Sequence, residues 1–225
     1  MQNPPPLPPR PSDALDSPCP SVGLPLRQTK VGLVIDLVES VRHMAADEAR
    51  VVGAWRQLLA HADDTLMPRH QGRIVKSLGD GLLAEFDQAS DAVAVALALH
   101  RFMRQLNASR PAAERMHLRA GVHATHFYEE ARDVFGNGVN LAARLASLAK
   151  PGETVVSVDV RDQIVDGMDA DLEDMGECYL KHWPQPVRSW RAWPPGSTAQ
   201  AEWLRPAALP PEDLRPTIAA VPFTG

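Results

Sequence analysis

The sequence predicts an α+β domain in which helices cover one face of a mainly antiparallel sheet. Two observations predict this fold class. Between residues 31 and 193, short apolar runs of strand length alternate with segments whose apolar residues recur at helical spacing. Two of the short runs flank the turn Gly79-Asp80-Gly81, which is typical of a hairpin and therefore of antiparallel pairing.

The first strand and the first helix follow directly from the pattern. The run "VGLVIDLV" (residues 31–38) is apolar almost throughout, as expected of a strand that is buried on both faces. The next segment, Ser40 to Ala62, is predicted to be a helix because its apolar residues fall mostly three or four positions apart. These residues are Val41, Met44, Ala45, Val52, Trp55, Leu58 and Leu59. The hairpin "RIVKSLGDGLLAEF" follows.

A second helix and a fourth strand come next. The segment "DQASDAVAVALALHRFMRQLN" is rich in alanine and leucine and predicts a helix that begins near Asp87 or Ser90. The segment "MHLRAGVHA" alternates between apolar and other residues, as a strand does.

The last part of the domain adds further helix and strand. "GNGVNLAARLASLA" predicts a short helix that ends at Lys150-Pro151-Gly152, and "ETVVSVD" predicts a strand. The order β-α-β-β-α-β with additional pieces matches the split βαβ, ferredoxin-like plan.

Proline marks the limits of the domain. We predict a proline-rich disordered leader at residues 1–29, the folded domain at 30–193 and a proline-rich linker at 194–225. In the leader, "PPLPPRP" matches either a ligand of SH3 domains or a solvated tail.

The composition excludes several classes of protein. A net charge of −5 provides no basic surface for nucleic acid, and no apolar run in this chain approaches the length of a membrane span. The two cysteines, Cys19 and Cys178, have no metal-ligand spacing and suit a reducing compartment. We therefore expect a cytoplasmic protein.

Two aspartates are the first candidates for chemistry. Asp36 lies near the end of the first strand and Asp80 at the hairpin tip, and the predicted topology makes these places neighbours. Close carboxylates repel each other unless a cation lies between them, and hard oxygen ligands favour Mg²⁺ or Mn²⁺. Two such ions commonly assist displacement at phosphorus. Asp36 as a helix cap, and Asp80 as an ordinary turn residue, remain alternatives.

The short helix carries a second group of candidates. Asn140 and Arg144 are four residues apart and therefore lie on one helix face, while Ala142 and Ala143 permit close packing.

Six segments, in order and spacing, resemble the class III adenylyl/guanylyl cyclase catalytic domain. They are "VIDLV", "RIVKSLGDGLLAEF", "LRAGVH", "DVFGNGVNLAARL", "PGETVVS" and "YLKHWPQPVRSWR", and they span about residues 31–192. The most specific part is V-N-x-A-A-R after D-V-F-G. The resemblance implies the class III cyclase fold.

The resemblance also implies residue roles. Asp36, Asp80 and the backbone carbonyl of Leu37 would hold two Mg²⁺ or Mn²⁺ ions. Lys76 and Asp133 would read adenine as donor and acceptor, whereas guanylyl cyclases typically carry Glu and Cys there. ATP is therefore the expected substrate, with cyclic AMP and pyrophosphate as products.

The remaining roles concern ribose and phosphate. By the same resemblance, Asn140 would orient the ribose, Arg144 would stabilise charge at the reacting phosphorus, and Lys181 would hold the terminal phosphates. In this family the aspartates of one chain face the other residues of its partner, so a head-to-tail homodimer with interface sites is expected.

Some positions depart from the family. Glu39 and His182 stand where glycine is usual, Val34 replaces a common phenylalanine, and "HATHFYEE" lacks the usual glycine after His123. A carboxylate about 6 Å from a phosphate charge would cost roughly 3 kcal/mol at an effective dielectric of about 20. Glu39 therefore puts phosphate binding in question.

Three functions compete at this point. The first is an adenylate cyclase for signalling, and the second is a catalytically impaired domain that binds nucleotide or dimerises to regulate a downstream module. The terminal "TIAAVPFTG" resembles the start of the module that follows the catalytic domain in many bacterial cyclases, or is a segment that docks on its own domain. A diguanylate cyclase has a similar sheet, but the chain has no GGDEF-like stretch.

Overall fold

We describe the protein from a computed structural model. It describes residues 27–130, 133–135 and 137–196, and of residues 27, 28, 78, 125–130, 133–135 and 137 only the backbone. The predicted leader up to residue 26 and the predicted linker from residue 197, with its terminal "TIAAVPFTG", lie outside this part of the chain.

The domain is built around one mixed β-sheet. Its strands are β1 (Arg27–Leu37), β2 (Arg73–Leu78), β3 (Gly81–Phe86), β4 (Leu118–Glu130), β5 (Asp133–Phe135), β6 (Thr154–Ser157), β7 (Asp171–Cys178) and β8 (Val187–Trp193). The order is β2-β3-β1-β4-β6-β8-β7, with β5 beside β4. Among the paired strands of the described residues, only β4 and β6 run parallel. The prediction of a mainly antiparallel sheet is therefore confirmed.

The helices alternate with these strands. They are α1 (Ser40–His61), α2 (Met67–Arg69), α3 (Ala89–Asn107), α4 (Asn137–Leu148) and α5 (Val158–Arg161), and a π-helical turn, Ala62–Leu66, joins α1 to α2. The segment β1-α1-β2-β3-α3-β4 has the strand order β2-β3-β1-β4, which is the predicted split βαβ plan.

Helix α1 is interrupted. Asp47 has non-helical dihedrals (φ −163°, ψ 88°), and its carboxylate accepts a hydrogen bond from the backbone N–H of Arg50 at 3.0 Å. This bond caps the second part of the helix in the manner of an N-cap residue.

Strands β1 and β4 are longer than the sequence predicts. β1 begins at Arg27 rather than Val31, and β4 continues to Glu130 rather than ending at Ala124. The added parts pair with each other, because Arg27 is opposite Tyr128. The added segments combine polar, charged and aromatic residues, so they contain no continuous apolar run that would indicate a strand in the sequence.

Helices α1 and α3 share one face of the sheet. Leu33 and Ile35 of β1 are fully buried and belong to one cluster with Val51 of α1 and Leu99 of α3. This cluster, the first core, contains most of the buried side chains.

Helix α4 covers the opposite face, so the prediction that helices cover one face is wrong. Val155 of β6 packs with Leu141 and Leu145 of α4 in a second core, whereas the next residue, Val156, belongs to the first. Successive side chains of a strand point to opposite faces. Apolar spacing shows that a helix is amphipathic but does not show which face of the sheet it covers.

Gly121 of β4 brings α4 close to the sheet. A Cβ atom at Gly121 would lie 2.2 Å from the carbonyl oxygen of Ala142 and 2.3 Å from the backbone nitrogen of Ala146. Both alanines are buried. The helix therefore lies directly on the strand, and only glycine leaves room for it.

We expect Gly121→Ala to destabilise the fold by roughly 1–3 kcal/mol, because α4 must move away from β4. The matched control is Gly53→Ala in α1, where a Cβ atom meets nothing within 4 Å. That change should stabilise the helix by about 0.5–1 kcal/mol. Urea unfolding measures both values, and a Gly121→Ala protein as stable as the unmodified chain would contradict the close contact.

His100 of α3 is a buried titratable group. Its side chain is 3% exposed, its Nε2 lies 3.1 Å from Oγ1 of Thr154, and burial lowers its pKa from 6.5 to about 3. Burial also lowers the pKa of His117 and His123. Below pH 6.5 the unfolded chain therefore binds protons that the folded chain excludes.

The neutral, buried His100 therefore makes its full contribution to the free energy of unfolding above pH 6.5, and this contribution is lost as the pH falls toward 3. We expect His100→Gln to lessen the pH dependence of the unfolding free energy by about 1 kcal/mol per pH unit between pH 6 and 4. Urea titrations at several pH values measure this slope. Equal slopes for the variant and the unmodified chain would exclude His100 as a source of acid sensitivity.

Candidate active site

Asp36 and Asp80 line one pocket. Asp36 is the cross-strand partner of Gly81, and the backbone N–H of Leu37 donates to the carbonyl oxygen of Asp80 at 3.0 Å. The hairpin turn that holds Asp80 uses Gly79 at φ 69°, which glycine adopts without strain. The pocket has a volume of about 230 Å³ and is completed by Val34, Ile35, Gly81, Leu82, Ala143, Ala146 and Ser147.

Arg119 of β4 is paired with Asp36. Its Nε and Nη2 atoms both donate to Oδ2 of Asp36, at 2.7 and 2.5 Å. The alternative of Asp36 as a helix cap does not hold, because α1 begins after Glu39 without a side-chain cap. Neither a sequence motif nor the family resemblance indicates Arg119 as a site residue. It could have been found by aligning β1 against β4, where the two residues are directly opposite.

Lys76 lies on the same face of the sheet as α4. It is half-buried in β2 and is the cross-strand partner of Leu83, which in turn is opposite Val34 in β1. Cross-strand partners share a face. The backbone of Asp133 lies in β5, which contacts β2, so the strands that carry Lys76 and Asp133 adjoin. The Asp133 side chain lies outside the described part.

Like Lys76, the other three predicted residues do not line the pocket of Asp36 and Asp80. Asn140 is exposed and Arg144 is half-buried on α4. Lys181 is exposed in the connection between β7 and β8. Within the described chain, the structure brings the two aspartates together but leaves these groups elsewhere.

Residues 29–190 match the model of the adenylate and guanylate cyclase catalytic domain. The chain belongs to this family.

Named relatives support this assignment. A putative adenylate cyclase 3 of Rhizobium meliloti is 36% identical over 197 residues, which cover 85% of this chain and 32% of that protein. An adenylate cyclase of Streptomyces coelicolor is 31% identical over 144 residues, or 64% of this chain and 36% of that protein. The chain thus spans about a third of the length of these two relatives.

Solved cyclases have the same fold. An adenylate/guanylate cyclase/hydrolase from Silicibacter pomeroyi superposes with a TM-score of 0.62 at 32% identity, over 75% of this chain and 98% of that one. The guanylyl cyclase Cya2 gives 0.64 at 21% identity, over 77% and 96%. The predicted class III cyclase fold is confirmed. Within the described residues, no helix has the length and apolar character to cross a membrane.

Glu39 and His182, which stand where the resemblance leads one to expect glycine, have left-handed backbone dihedrals. Their φ angles are 52° and 60°, a region in which side chains other than glycine are strained. Glu39 immediately precedes α1, and its carboxylate pairs with Arg42 at 2.7 Å. The carboxylate is therefore held by a neighbour on its own helix.

We expect Glu39→Gly to be more stable than Glu39→Ala by up to about 1 kcal/mol, because only glycine relieves the left-handed strain. Glu39→Ala is the matched control, since it removes the same charge and keeps a Cβ atom. It should resemble the unmodified chain, because the ion pair with Arg42 is exposed and stabilises little. Thermal or urea unfolding distinguishes the two, and equal stability of both variants would show that the turn is unstrained.

Proposed function

We propose that this cyclase domain converts ATP to 3′,5′-cyclic AMP and pyrophosphate for signalling. The observation that carries the proposal is the shared pocket of Asp36 and Asp80 in a member of the nucleotide cyclase family. In this reaction the 3′-hydroxyl of the nucleotide attacks the α-phosphorus, and the bond to the pyrophosphate breaks. A phosphorus–oxygen lyase needs charge stabilisation on both sides of that phosphorus.

The pocket suits divalent metal ions. Its two carboxylates are hard oxygen donors, and no histidine or cysteine is among its lining residues, which favours Mg²⁺ or Mn²⁺ over softer metals. We propose that Asp36, Asp80 and the backbone carbonyl of Leu37 hold two such ions per site. Bound there, the ions would activate the attacking hydroxyl and neutralise charge on the leaving phosphates.

The choice of base rests on Lys76 and Asp133. A lysine donates to a ring nitrogen of adenine and an aspartate accepts from its exocyclic amine, whereas guanine presents the opposite pattern at those edges. The adjoining strands β2 and β5 support this pairing of roles. A site built for one base leaves polar groups unpaired with the other, so ATP should be preferred strongly over GTP.

A second chain is needed to complete the site. Asn140, Arg144 and Lys181 are proposed to orient the ribose, stabilise charge at phosphorus and hold the terminal phosphates. Their positions outside the pocket of Asp36 and Asp80 support a head-to-tail homodimer. Each chain would supply its aspartates to one site, and these residues together with Lys76 and Asp133 to the other.

A cyclase-like regulatory domain is the second candidate. The observation that favours it is the pair of strained substitutions, Glu39 and His182, at turns where cyclases usually have glycine. In that case the domain would bind nucleotide or dimerise to control a neighbouring module. A large rise in turnover on Glu39→Gly, with little change on Glu39→Ala, would show that the natural chain is impaired by its turn.

The direct test is product formation from ATP and from GTP with Mn²⁺. We expect cyclic AMP from ATP, much less product from GTP, and loss of activity in Asp80→Asn and in Arg144→Ala. Mixing these two inactive variants should restore roughly a quarter of full activity, because half of the dimers are mixed and each has one intact site of two.

Absence of product from both nucleotides, in a preparation shown to be dimeric, would reject the enzymatic proposal. Failure of the mixed variants to recover, with each variant folded and dimeric, would reject the shared site. A preference for GTP would overturn the proposed adenylate activity and the roles of Lys76 and Asp133, and it would leave the cyclisation reaction itself in place.

A further inference from the structure

We infer that Arg119 is an internal counter-charge that weakens metal binding until nucleotide arrives. The inference rests on the proposed metal site at Asp36 and Asp80. In the absence of nucleotide, the guanidinium neutralises Asp36 and opposes the binding of a divalent cation. The site would then take up metal and nucleotide together rather than metal alone.

The ion pair between Asp36 and Arg119 follows from the pairing of β1 with β4. Asp36 and Arg119 are opposite each other in the β1–β4 register, which runs unbroken from Arg27 to Leu37. Their side chains are 27% and 33% exposed, so the pair is shielded from water by about two thirds. Neither residue has another ion-pair partner among the described residues. The pairing is therefore a fixed feature of two neighbouring strands rather than a contact between mobile surface groups.

The geometry places guanidinium and metal in competition. Both nitrogen donors of Arg119 bind the same oxygen, Oδ2, and only Oδ1 is left for a cation that Asp80 would share. A cation on Oδ1 would lie within a few ångströms of the guanidinium, and like charges repel strongly at a partly buried site.

The charge of the nucleotide can remove this opposition. The guanidinium places a positive charge beside Asp36. Only added negative charge offsets it, and a nucleoside triphosphate supplies such charge. Metal and nucleotide binding should accordingly strengthen each other, by equal factors.

A purely structural role for Arg119 makes a different prediction. If the ion pair only links β1 to β4, its removal would lower stability and leave Mn²⁺ affinity unchanged or lower. Metal affinity of the nucleotide-free chain therefore separates the two roles, and it does so without any measurement of turnover.

The experiment is a titration of the nucleotide-free full chain with Mn²⁺, followed by electron paramagnetic resonance. We expect Arg119→Gln to bind Mn²⁺ about tenfold more tightly than the unmodified chain, because a neighbouring positive charge has been removed. Arg119→Lys keeps the charge and should stay near the unmodified affinity. The matched control is Arg188→Gln, which removes a positive charge from an exposed ion pair with Asp174 and should change nothing.

A second titration includes a non-hydrolysable ATP analogue. With the analogue bound, the Mn²⁺ affinity of Arg119→Gln should exceed that of the unmodified chain by less than about threefold, because the phosphates offset the charge of the guanidinium. Circular dichroism checks that each variant is folded. If Arg119→Gln does not fold, Arg119→Met, which keeps the apolar stem, should show the same tightening.

Equal Mn²⁺ affinity of Arg119→Gln and the unmodified chain, with weaker binding by Asp80→Asn, would overturn the role of Arg119 and leave the proposed metal site intact. An equal gain in Mn²⁺ affinity for Arg188→Gln would show that the effect depends only on net charge, and this would also overturn the role of Arg119. Mn²⁺ binding that Asp80→Asn does not weaken, or its absence from every variant, would overturn the metal site itself.

Discussion

The register of β1 between its two antiparallel neighbours is the constraint on which the site depends. It sets Asp36 opposite Gly81 on one side and opposite Arg119 on the other. Because side chains alternate along a strand, a slip of one residue would turn the Asp36 side chain toward the first core and the Ile35 side chain toward the face that α4 covers. The buried residues of β1 make that slip costly, so hydrophobic packing on one face positions the charged groups on the other.

The sequence predicts most of what is local in this molecule. Hydrophobic spacing locates α1, an alanine- and leucine-rich composition locates α3, and the stop at Lys150-Pro151-Gly152 locates the end of α4. The Gly79-Asp80-Gly81 turn locates the hairpin, and each of these signals lies within one short segment. The closeness of Asp36 and Asp80 was predictable as well. It follows from the βαββαβ order, in which the first strand and the hairpin tip are neighbours.

What the sequence does not predict depends on relations between distant segments. The pairing of Arg119 with Asp36 requires the β1–β4 register, and the face covered by α4 requires the contact of Gly121 with Ala142. The backbone of Glu39 is a different case. The resemblance marks the position as unusual, but only the structure shows that the turn keeps a glycine-like conformation and that the carboxylate pairs with Arg42.

The interruption of α1 at Asp47 has a mechanical consequence. Most of the residues before it, from Ser40 to Ala46, are exposed, whereas Trp55 and Leu58 after it are anchored in the first core. Since the dihedrals of Asp47 are not helical, α1 consists of two helical parts joined by a kink at this residue. Because the helical hydrogen bonds are interrupted at Asp47, the short part that follows Glu39 can change its orientation without moving the long part, which is anchored in the first core.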